Sequence, residues 1–63
     1  MINPRKNTKF LLRVFGNNRD IYNDYLSLFD DAVEEGSAIP DEVAWIRFRE
    51  YHVETEDGSW ARV

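Results

Sequence analysis

The stretch DIYNDYLSLFDDAVEEG, residues 20–36, constrains the fold more than any other part of the chain. Placed at ~100° per residue, Leu28, Ile21, Ala32, Tyr25, Phe29, Tyr22, Val33 and Leu26 fill one continuous arc of roughly 160°. The other arc holds Asp30, Asn23, Glu34, Ser27, Asp20, Asp31, Asp24 and Glu35, and the two sets do not interleave. A helix divided in this way must bury one side against the rest of the chain. That rest is small, because the sequence has 63 residues. Chains of this size bury a lower fraction of their surface than larger domains and often rely on staples. Here there is no Cys and a single His, so neither a disulfide nor a thiolate or His-based metal site is expected. The hydrophobic core must suffice, with or without self-association. At 43% hydrophobic and 14% aromatic residues, the composition can build one.

The flanks give the helix its ends. Asn17 and Asn18 supply turn and N-cap chemistry, and Asp20 suits the positive end of the helix dipole. Gly36 is placed to be the C′ residue, and Pro40 reinforces the stop. Ahead of the helix, KFLLRVFG (9–16) alternates, with Phe10, Leu12 and Val14 on one face, and reads as a strand closed by Gly16. Residues 1–8 read as a flexible N-terminal arm and 9–63 as a single small domain.

After Pro40, PDEVAW has the start signals of a second helix, yet VAWIRFREYHV gives no clean helical stripe and fits alternation better. Ala44, Ile46 and Phe48 would line one face of that strand. Val43, Trp45, Arg47 and Arg49 would line the other, with a bulge near Arg49–Glu50 to shift the phase. Asp57-Gly58 signals a two-residue hairpin in which Thr55 faces Trp60 and Val53 faces Arg62. The expected fold is therefore α+β, in the order β–α–β–β. One amphipathic helix packs on a three-stranded, mainly antiparallel sheet that ends in a hairpin. The pairing of the first strand, with the second or with the third, stays open.

Charge is segregated. Residues 1–19 carry five basic groups and no acid, residues 20–42 carry eight acids and no base, and the net charge is −4. That balance argues against general affinity for nucleic acid or anionic membranes. No apolar run approaches the ~20 residues of a transmembrane helix, and no signal-peptide pattern is visible, so a cytoplasmic location is expected. No catalytic motif stands out. The serines fall on helix-surface or turn positions, no Gly-rich phosphate loop exists, and DDAVEEG lacks the alternation of a calcium loop. No enzyme activity, cofactor or metal is expected.

Two surfaces remain as candidates. Asp20, Asp24, Asp30, Asp31, Glu34 and Glu35 form i, i+4 like-charge pairs that cost a helix stability, and the last two sit at the end where the dipole disfavours them. With Tyr22 and Leu26 as apolar anchors, this face is expected to dock a protein partner with a basic groove, such as a nucleic-acid-handling enzyme or a defence complex. The chain would then be an inhibitor or regulator. In being tiny, acidic and poor in motifs it is similar in general character to small bacteriophage inhibitor proteins. The alternative is a single-stranded nucleic-acid site on the open sheet face, built from Arg13, Trp45, Arg47 and Arg49. A third option is a structural homo-oligomer, such as a homodimer.

Overall fold

The amphipathic helix forms as its pattern requires. The computed structural model describes residues 3–63 and contains α1 (Thr8–Val14), α2 (Arg19–Glu34), α3 (Pro40–Tyr51), β1 (His52–Glu54) and β2 (Trp60–Arg62). In α2 the buried side consists of Ile21, Tyr22, Tyr25, Phe29 and Ala32. Asn18 caps its start, its side chain accepting from the backbone N–H groups of Asp20 and Ile21. Its end closes with two backbone bonds, Gly36 N–H to the Val33 carbonyl and Ser37 N–H to the Ala32 carbonyl, both at 3.0 Å.

The three-stranded sheet with a single helix is not formed. The described residues form three helices and a two-stranded antiparallel hairpin instead. The first expected strand, 9–16, is α1 and its termination. Seven residues are too few to separate a period of 2 from one of 3.6. Leu11 and Phe15, one helical turn apart, are buried, whereas Phe10 is exposed. Gly16 closes not a strand but this helix, with φ +67° and its N–H bonded to the Arg13 carbonyl. Before α1, residues 3–7 make a turn in which Pro4 is buried and accepts a 2.9 Å bond from the Tyr22 hydroxyl. Of the arm expected over residues 1–8, Met1 and Ile2 lie outside the described residues.

The second expected strand is mostly α3. Its buried line is Pro40, Ala44 and Phe48, each four residues apart. That stripe hides in the sequence because two of its three members are small or cyclic, and because Arg and Glu occupy the turns between. The end signals are the better guide: Pro40 at the start, Asp41 and Glu42 in the first turn, Arg49 in the last. The apparent phase shift near Arg49–Glu50 is not a bulge. It marks the switch from helix to strand at Tyr51–His52.

The hairpin pairs one residue away from the expected register: His52 with Arg62, Val53 with Ala61, Glu54 with Trp60. The Thr55 carbonyl accepts from Gly58 N–H, and Thr55 N–H bonds back to the Ser59 carbonyl. The loop is thus three residues, a turn followed by Gly58 at φ +83°, rather than the two-residue Asp-Gly turn. A slip of one exchanges the faces of a strand, and here it sends His52 inward.

Aromatic rings join the elements. Phe48 of α3 lies 5.1 Å from Phe15 and 5.1 Å from Trp60, centroid to centroid, and Trp45 lies 5.3 Å from Tyr25. Such tilted and edge-on contacts add to the area term for each ring. Burial pushes the Tyr25 phenol up to about 12. Among the described residues, no helix is long and apolar enough to cross a membrane.

Candidate functional site

The polar arc of α2 has two margins and a middle. At ~100° per residue, Asp24 and Glu35 adjoin Leu28 on one side, and Asp30 adjoins Leu26 on the other. Asp20, Asp31 and Glu34 lie between them.

The structure supplies counter-charge to the margins. Arg62 donates from Nε and Nη2 to the two Asp24 oxygens at 2.7 and 3.0 Å. Arg47 of α3 holds Glu35 through two bonds of 2.7 Å. Arg5, from the opposite side, holds Asp30 at 2.7 and 2.6 Å. All three are two-pronged guanidinium–carboxylate pairs, the geometry that best suits both groups. The hydrogen bonds from Arg62, Arg5 and Arg47 hold Asp24, Asp30 and Glu35, respectively, below the usual carboxylate range. The margins of the acidic face are therefore compensated in three dimensions, by arginines remote in sequence. Asp20, Asp31 and Glu34 have no ion-pair partner among the described residues.

Asp24 does more than pair with Arg62. His52 is 5% exposed, and its Nε2 lies 3.0 Å from Asp24 Oδ2. Its Nδ1 lies 2.9 Å from the Phe48 carbonyl, and its ring stacks on Phe48 at 4.0 Å. This cluster floors a groove of about 470 Å³ between α2, the end of α3 and the hairpin. Ser27 and Leu28 form one wall, and Glu50, Tyr51 and Val63 the other.

Ser27, His52 and Asp24 thus share a groove, but not as a nucleophilic triad. Both imidazole nitrogens face acceptors elsewhere, one a backbone carbonyl and one the Asp24 carboxylate. Neither remains to take a proton from the Ser27 hydroxyl, which activation of that oxygen requires. Among the described residues, no cluster of three or more His, Asp or Glu could hold a metal ion.

The remaining candidate residues divide sharply. Tyr22 is 3% exposed, and its hydroxyl is engaged by Pro4 and lies 3.1 Å from that of Thr8. It belongs to the core. Leu26 is half-buried at the margin of α2. The sheet face proposed to carry Arg13, Trp45, Arg47 and Arg49 does not exist, since Arg13 is on α1 and the others are on α3. Trp45 packs into the aromatic cluster, Arg47 is held by Glu35, and Arg49 sits 5.7 Å from the centre of the Trp45 ring.

Three residues of the site escaped sequence reasoning: Arg5, Arg62 and His52. For the arginines a signal was present. A carboxylate adjoining the apolar arc of a helix lies where neighbouring elements pack, so it is the one a remote cation reaches first. No protein-family model, curated protein or solved structure matches the chain.

Proposed function

We propose that this chain is a protein-binding module without catalysis of its own, an inhibitor or regulator that docks a basic groove on its partner. The observation that carries the reading is the middle of the polar arc. The fold pairs an arginine with each of Asp24, Asp30 and Glu35, and leaves Asp20, Asp31 and Glu34 exposed on the polar side of α2, Asp31 and Glu34 on adjacent turns and Asp20 about 16 Å nearer the helix start. Like charges on adjacent turns do not stabilise a helix. Opposite them, a cationic surface gains attraction, faster encounter and a fixed orientation. The docking residues are Asp20, Asp31 and Glu34, with half-buried Leu26 at the edge. Basic grooves of this kind occur on nucleic-acid-handling enzymes and defence complexes, where a row of carboxylates takes the place of phosphates.

The test is affinity capture from the native host with the wild-type chain beside an Asp20→Lys, Asp31→Lys, Glu34→Lys variant, with bound proteins identified by mass spectrometry. The reading predicts a basic partner that the variant does not retain and that competing duplex DNA or added salt releases. Equal capture by both chains overturns it.

A further inference from the structure

Two exposed features of the molecule are complementary. The groove beside α2 is the first. Its floor has little hydrogen-bonding capacity left: the Asp24 oxygens take bonds from His52 and Arg62, and both His52 nitrogens are engaged. Leu28, Tyr51 and Val63, the last two 61% and 85% exposed, give its walls an apolar surface beside the Ser27 hydroxyl. At its rim stand Arg62, whose charge is met by Asp24, and Glu50, an exposed carboxylate with no ion pair among the described residues. A groove whose floor acceptors are taken, whose walls are largely apolar and whose one unpaired charge is a carboxylate suits an apolar side chain flanked by cations.

The second feature is such a group. Phe10 on α1 is 58% exposed. Lys9 and Arg13 flank it on the helix and Lys6 in the preceding turn, and none of these three cations has an ion pair among the described residues. The hollow beside Phe10 is lined by Lys6 and Lys9, with Arg5 already paired to Asp30, so the two lysines make its field positive.

We propose that the groove of one copy receives Phe10 and its flanking lysines and arginine from α1 of a second copy. The contact joins two different patches. Made in both directions at once, it closes a two-fold dimer. It requires none of Asp20, Asp31 and Glu34, which do not line the groove, and so stands apart from the docking function above.

Sedimentation of the full chain over a wide concentration range tests it. The expected result is a weight-average mass rising from one chain to two, with the rise suppressed by added salt. Phe10→Asp removes the knob and Glu50→Arg spoils the groove, both at exposed positions, so each variant alone should stay monomeric. An equimolar mixture of the two should associate, because the intact Phe10 of one meets the intact groove of the other. A wild-type chain that stays monomeric throughout overturns the proposal. So does a mixture that fails to associate, or a variant that dimerises like the wild type.

Discussion

Six carboxylates share the polar side of α2, and their surroundings part them into two groups of three. At the margins, Asp24, Asp30 and Glu35 are gripped by arginines from other elements. In the middle, Asp20, Asp31 and Glu34 face outward without such a partner among the described residues. Residue type and helix are the same, so angular distance from the apolar arc is what separates them. The margin acids help tie the fold together, while the middle acids make no ion pair among the described residues, and Asp20 and Asp31 act on Arg62 and Arg47 only at longer range.

Five substitutions and one change of pH can break or sharpen that contrast, and the strongest is at Asp24. Asp24→Ala should lower stability by about 1–3 kcal/mol, measured by urea denaturation, because it leaves a buried imidazole nitrogen and Arg62 without their acceptor. A loss no larger than that at Asp31 would erase the distinction between margin and middle.

Acid should act through the same residue. The carboxyl of Asp24 is held below its ordinary value by the Arg62 hydrogen bond, opposed by burial and aided by His52. A group whose folded value is depressed contributes stability above its unfolded value, near ~3.9, and that contribution is lost as pH falls through the folded value. Thermal melts from neutral pH downward should therefore show a steeper loss below about pH 4 in the wild type than in Asp24→Asn.

Exposed margin pairs should matter less. Asp30→Ala and Glu35→Ala each remove an ion pair whose partners are largely open to water, so each should lower the melting temperature by less than Asp24→Ala, and less still at high salt. The smallest effect belongs to the middle. Glu34→Lys places a cation one turn after Asp30 and Asp31, at the helix end that favours it, and should raise stability by up to about 0.5 kcal/mol. A clear loss there would mean that the middle stripe has a structural role.

Legibility in the sequence followed the strength of each pattern. The division of α2 was readable because eight apolar residues fall in one arc, and Asn18 and Gly36 mark its ends by local chemistry. The identity of α3 was not, because its buried line consists of Pro40, Ala44 and Phe48 separated by charges, and local alternation around Trp45 competed with it. In α1 the segment was shorter than the length at which either period declares itself. Together these two segments suggest a sheet that the described residues do not form, and with it the alternative site on Arg13, Trp45, Arg47 and Arg49. For the acidic face, the composition was plain and the neutralising arginines were not, since Arg5 lies 25 residues from Asp30 and Arg62 lies 38 from Asp24.

Gly16 and Gly58 both sit at positive φ, yet they differ in what a mutation would meet. Around Gly58 an added Cβ has open space, so Asn, which tolerates that backbone region, is an admissible replacement. At Gly16 the added carbon would lie 2.7 Å from the Ser59 Cβ, and closer still to the Ser59 oxygen, which bonds the Phe15 carbonyl. The end of α1 and the hairpin tip, 43 positions apart in sequence, meet there with no room for a side chain. In a saturation scan for folded protein, position 58 should accept Asn and position 16 only glycine.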